Sequence, residues 1–169
     1  DTSQYPADRI GTIVFTSGST GTPKGVMLAE DQLIRDGWTF GLEGDPDGQR
    51  VGIPLPISFA YGTMALVRCL VWGAAACLFD PRNSAIDEMV TWVQDRNLTS
   101  LNLTPHAMRT LATAAKARGV TFNSLRRIQV GGEPVLATDI KLMRACTTAE
   151  CLVYIIAAAS EAGIITSTR

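Results

Sequence analysis

Histidine is almost missing from this sequence: His106 is the only one in 169 residues. A metal centre built from imidazoles is therefore excluded. Charge is scarce and balanced, with 15 Lys and Arg against 16 Asp and Glu, a formal net charge of −1. No basic excess is on offer to a nucleic acid or an anionic membrane surface. The pair Arg126-Arg127 reads as solvated surface. No apolar run reaches the 18 residues of a membrane-spanning helix; the longest is LVYIIAAA, 152–159. No signal peptide is visible. The four cysteines, Cys69, Cys77, Cys146 and Cys151, match neither a zinc nor a redox spacing. Cys69 and Cys77 sit among apolar residues and read as small buried hydrophobes. The lack of a disulfide framework fits a reducing compartment, the cytoplasm.

What is present is a globular composition, 46% hydrophobic. Short apolar runs alternate with helical patterns. The runs are GTIVF (11–15), VML (26–28), VGIPL (51–55), AACLF (75–79), LTSLNL (98–103), LRRIQV (125–130) and CLVYII (151–156). Helical patterns cover 30–40, 62–72, 84–94, 104–117 and about 137–146. In the third, Ile86, Met89, Val90 and Val93 share a face and Ser84 is the expected N-cap. In the fourth, Pro105 falls in the first turn. This alternation predicts an α/β fold, a layered and largely parallel sheet with flanking helices. Its buried strands should be apolar on both faces. GLEGDPDGQR (41–50) reads as a surface loop. There is no internal repeat, and the chain reads as one structural unit.

One segment cannot serve a core. Thr16-Ser17-Gly18-Ser19-Thr20-Gly21-Thr22-Pro23-Lys24-Gly25 holds five hydroxyls, three glycines and one lysine, between two apolar runs. The glycines let backbone N–H groups converge where side chains would collide. The hydroxyls add donors, and Lys24 adds a positive charge suited to phosphate. Hydrogen bonds to charged groups contribute roughly 1.5–3 kcal/mol each, so a few would hold a triphosphate. The segment reads as a polyphosphate-binding loop. It is not a Walker loop, because Pro23 precedes the lysine and Gly25 follows it, and G-x-G-x-x-G is absent.

TSGSTGTPKGV is very similar to the phosphate loop of the adenylate-forming superfamily. That superfamily comprises acyl-CoA synthetases, luciferases and the adenylation domains of nonribosomal peptide synthetases. VGIPLPISFAYGTMAL, LRRIQVGGEPV and CLVYIIAAASEAGIITS resemble its next segments, in its order. GGEPV followed by TDIKLMRAC looks most like a peptide synthetase domain. The resemblance implies activation of a carboxylic acid by ATP, release of pyrophosphate, and transfer of the acyl group to a thiol. The acceptor would be phosphopantetheine on a carrier protein, or CoA. It also implies that 1–169 is a central slice of a large N-terminal domain, lacking its N-terminal region and the small C-terminal domain. Such a slice is expected to be inactive alone.

Residue by residue, the resemblance gives loop 16–25 the β- and γ-phosphates and Lys24 the counter-charge. Glu161 aligns with the Mg²⁺ ligand, a carboxylate suited to a hard cation. Ser160, after Ala159, aligns with the threonine that contacts the α-phosphate. Lys24, Ser160 and Glu161 are thus the candidate catalytic residues. Gly132-Glu133-Pro134 resembles the segment bordering adenine. Gly131 and Gly132 would admit the ligand to the backbone, and Phe59, Ala60 and Tyr61 would wall the acyl pocket.

Two departures stand out. Synthetase domains for α-amino acids usually carry an aspartate at the position of Ala60, where it pairs with the substrate ammonium. A buried ammonium without a partner is costly, so the expected substrate lacks a free α-amino group or holds it elsewhere. Ala157 and Ala158 replace the usual Tyr-Gly, removing an aromatic contact worth roughly 0.5–1.5 kcal/mol. The alternatives are a stand-alone acyl-CoA or fatty acyl-AMP ligase, and a non-catalytic remnant or scaffold of the same fold.

Overall fold

A computed structural model describes residues 9–16, 23–39, 48–160 and 163–168. The chain begins with two strands, β1 (Ile10–Thr16) and β2 (Lys24–Ala29), paired antiparallel as a separate ribbon. Helix α1 (Glu30–Thr39) follows. The remainder alternates: β3 (Arg50–Ile53), α2 (Ala60–Trp72), β4 (Ala75–Leu78), α3 (Ile86–Asp95), β5 (Ser100–Leu103), α4 (Pro105–Ala117), β6 (Arg127–Gly131), α5 (Ala137–Arg144), β7 (Leu152–Ala159) and β8 (Gly163–Thr168). The main sheet has the order β4-β3-β5-β6-β7-β8. Its first five strands are parallel, and β8 returns antiparallel beside β7.

Each apolar run named from the sequence falls in or beside one of these strands. The strand β8 is the addition: GIITST alternates too little to announce itself beside the Ala-rich end of β7. The ribbon β1–β2 is antiparallel because only seven residues separate its paired ends, too few for a parallel crossover.

Helices cover both faces of the sheet. On one face α3, α4 and α5 close over Leu101, Leu103, Ile128, Val130 and Val153, all nearly or wholly buried. On the other, α2 packs through Ala65 and Cys69 on Val51 and Ile53. The ribbon joins that layer: Val14 and Leu28 meet Leu33 of α1 and Met64 of α2. Burying such side chains contributes roughly 1.5–3 kcal/mol each, which is why a helix lacking strong caps holds its place.

Four local expectations are corrected. The N-cap of α3 is Ala85, extended and with no side-chain cap, so Ser84 lies one residue too early. In α4, by contrast, Thr104 Oγ1 accepts from Ala107 N at 3.2 Å with Pro105 in the first turn. The strands β5 and β6 are not apolar on both faces: Ser100, Asn102 and Gln129 are buried on the α2 side. Arg127 is no free surface charge; its guanidinium lies 4.5 Å from the Tyr154 ring centroid. Cys69 is buried as expected, whereas Cys77 is half-buried.

Candidate functional site

The site grows from three chain segments that end near one another. The first is the entry to α2. Phe59 is the extended N-cap, and its N–H donates to Pro56 O at 3.1 Å. The turn is tight enough that only glycine fits at 62, where a Cβ would stand 2.3 Å from Pro56 O. Ala60, Tyr61, Met64 and Arg68 then recur along one side of α2, at helical spacing. The Tyr61 hydroxyl donates to Gln129 O at 3.0 Å, fixing α2 over β6. Burial raises the Tyr61 hydroxyl pKa well above its ordinary value, so it stays a neutral donor.

The second segment is the end of β6. Gly131 packs against β7 so closely that a Cβ would lie 2.8 Å from Ile156 O. Gly132 has φ 93°, a left-handed turn that glycine adopts without strain. The third is the end of β7, where Ala158 and Ala159 lead to Ser160. These segments line a cavity of about 200 Å³. Its walls are Ala60, Tyr61 and Met64 on the helix side, Gly131 and Gly132 below, and Ile156 with Ala158–Ser160 opposite.

Arg68 also lines this cavity. It is 4% exposed, and its Nη1 donates to Gln129 Oε1 at 2.7 Å. Burial lowers its pKa. Gln129 is in register with Asn102 of β5 on one side and Tyr154 of β7 on the other, so the three share the sheet face beneath α2. Asn102 Oδ1 is buried without a hydrogen-bond partner. Sequence reasoning missed Arg68, Gln129 and Asn102. A signal was present for the first: Arg68 continues the stripe Ala60, Met64, where an apolar residue belongs.

The remaining candidates are placed as follows. Phe59 is 58% exposed and stands outside the cavity. Glu133 and Pro134 are exposed in the turn after β6 and do not line it. Thr16 and Lys24 face each other across the ribbon as paired residues, with Gly25 opposite Phe15. They therefore hold the two ends of the phosphate-loop segment together. Ser17, Gly18, Ser19, Thr20, Gly21, Thr22 and Glu161 lie outside the described residues. Met64 packs in the core of the ribbon and also lines the cavity, so it links the two regions.

A second cavity of about 340 Å³ lies where the strand order reverses, past the carboxyl ends of β3 and β5. Pro54, Pro56, Phe79, Met89 and His106 are among its walls. No acid, lysine or arginine lines it, so the smaller cavity, with Arg68, is the better place for an ionised ligand.

Comparison with known proteins agrees with this geometry. The whole chain, residues 1–169, matches the family described as AMP-binding enzyme. It is 34% identical over 129 residues to the hybrid PKS-NRPS synthetase TAS1 of Botryobasidium botryosum, covering 75% of this chain and 7% of that protein. It is 27% identical over 157 residues to the fatty acid–[acyl-carrier-protein] ligase MmaC of Mycobacterium marinum, covering 88% and 28%. The fold matches the N-terminal subdomain of NpsA from Klebsiella oxytoca, a complex with 3-hydroxybenzoyl-AMSN. That match has a TM-score of 0.79, 21% identity, and coverage of 97% of this chain and 41% of that one. The chain thus spans a minor part of each relative. With the phosphate-loop sequence, the parallel sheet and the cavity at its strand ends, these findings make the chain a member of the AMP-binding, adenylate-forming enzyme family, most like the adenylation domains of peptide synthetases.

Proposed function

We propose that this chain is the central part of a domain that activates a carboxylic acid as its acyl-adenylate and passes the acyl group to a carrier-bound phosphopantetheine. The observation that carries the reading is the convergence of Ala60–Tyr61, Gly131–Gly132 and Ala159–Ser160 on one cavity. Those three pairs come from the three separate segments that resemble the family. The enzyme would work in the cytoplasm, within a peptide synthetase-like protein.

In the first step a carboxylate oxygen attacks the α-phosphorus of ATP and pyrophosphate leaves. In the second a thiol attacks the acyl carbon and AMP leaves. In such in-line displacement the protein mainly positions groups and neutralises charge. Lys24 supplies the counter-charge to the phosphate tail, at the end of a segment whose span Thr16 helps fix. Ser160, on the wall of the cavity, is the hydroxyl for the α-phosphate. Gly131 and Gly132 leave backbone open for the acid and the adenine. Mg²⁺, held by Glu161 and the phosphates, would offset negative charge; one carboxylate plus phosphate oxygens is an ordinary set for that ion.

Carboxylate-dependent ATP–pyrophosphate exchange in the full-length gene product tests the reading. Exchange is expected with amine-free acids, and a loss of at least about tenfold in Lys24→Ala and in Glu161→Ala, as removal of a charge-assisted contact gives. No exchange with any acid, in folded protein, would overturn it in favour of a remnant of the same fold. A second reading, a ligase loading fatty acids onto a separate carrier, is favoured by Ala60 and by the likeness to MmaC. Exchange driven by long-chain acids would select it.

A further inference from the structure

Ala60 and Arg68 lie on one stripe of α2, about 12 Å apart along the axis. Helical side chains lean toward the helix N-terminus, so the Arg68 side chain leans toward the turn that carries Met64 and toward Ala60. All three residues line the one cavity. A guanidinium thus lines a pocket whose usual carboxylate is replaced by a methyl group.

Nothing in the described protein neutralises that charge at contact distance. The single hydrogen bond of Arg68 recorded among the described residues goes to the neutral amide of Gln129. Its Nε is buried without a partner. Among the described residues, no carboxylate lies within ion-pairing distance of it. The groups whose fields reach it are Tyr61, Arg127, Cys69 and Asp36. Tyr61 and Cys69 are held neutral by burial, and Arg127 is a like charge. Asp36 of α1 is the one acid among them; burial raises its pKa, and it makes no ion pair with Arg68. Buried cations are retained where they are paired, and among the described residues this one has no acid at contact distance.

We propose that the cavity takes a dicarboxylic acid, one carboxylate beside Ser160 for activation and the second bound by Arg68. This rests on the adenylation reading above and names its substrate class. A guanidinium suits the task because its planar donors match a carboxylate in two places at once. Gln129 orients the guanidinium from below, and Met64 and Ile156 give the linking chain apolar walls. The site would reject an α-amino acid twice, by the absent acid at 60 and by the present cation at 68.

The test uses the full-length gene product with succinate, glutarate and adipate, each beside its monomethyl ester. Calorimetric binding and pyrophosphate exchange are both read, in wild type, Arg68→Met and Arg68→Lys. Melting curves establish that the variants fold. The expected result is a preference for the best diacid over its ester of at least about tenfold, lost in Arg68→Met and partly restored in Arg68→Lys. A purely structural arginine would change melting and leave that ratio alone. Equal preference in wild type and Arg68→Met would overturn the proposal, even with exchange driven by monocarboxylic acids, which would leave adenylation standing. Arg68-dependent diacid binding without exchange would overturn adenylation and leave the pocket's assignment in place.

Discussion

At the scale of single residues, some positions cannot be enlarged and others resist a charge. Gly131→Ala sets a methyl 2.8 Å from Ile156 O, a backbone atom that cannot step aside. The variant should lose about 1–3 kcal/mol, as over-packing does, measured by urea unfolding. Acid binding should weaken with it, because the same shift narrows the cavity. The cysteines give a pH signature. Burial pushes the Cys69 and Cys151 thiols from an ordinary 9.0 up to about 11. The folded state therefore disfavours both thiolates. Their contribution to stability is whole below pH 9 and is lost as pH rises from about 9 through about 11. Unfolding midpoints followed across that interval should fall less steeply in Cys69→Ala/Cys151→Ala than in wild type. Parallel profiles would refute the assignment.

At the scale of elements, Gly62 and the Arg109–Asp139 pair show two ways of fixing a helix. The helix α2 starts against Pro56 O, and Gly62→Ala should cost about 1–3 kcal/mol because carbonyl and methyl would stand 2.3 Å apart. The helix α5 is tied to α4 by a two-point ion pair, Arg109 Nε to Asp139 Oδ1 at 2.8 Å and Nη2 to Oδ2 at 2.7 Å. The Arg109 guanidinium holds the Asp139 pKa below its ordinary value. The pair is therefore present above the ordinary carboxylate range and lost as pH falls through the lowered value. Asp139→Asn should melt lower than wild type at neutral pH, and the gap should close in strong acid. A gap that persists there would show that the pair is not its source.

Element positions were legible because each strand is a short apolar run between turn residues, and each helix shows a periodic face. The sequence could not show β8, whose partner is the end of β7, nor the polar stripe of Ser100, Asn102 and Gln129. That stripe makes sense only once α2 brings Arg68 over it. Likewise the GGEPV segment splits: Gly131 and Gly132 face the cavity, whereas Glu133 and Pro134 turn outward. Linear adjacency does not survive a left-handed turn at Gly132.

At the scale of the whole molecule, a five-stranded parallel sheet between two helical layers sets its functional groups at the carboxyl ends of its strands. The phosphate-loop segment belongs to a separate ribbon, joined to that sheet through Met64 and α1. The ribbon's strand pairing is thus independent of the main sheet's. The central claim is that a carboxylate oxygen of the substrate attacks the α-phosphorus of ATP. The most direct measurement supplies the full-length gene product with a carboxylic acid labelled with oxygen-18 in the carboxylate, and ATP, then releases the acyl group with hydroxylamine. The expected products are AMP carrying one labelled oxygen and unlabelled pyrophosphate. Label in inorganic phosphate, formed together with ADP, would contradict it.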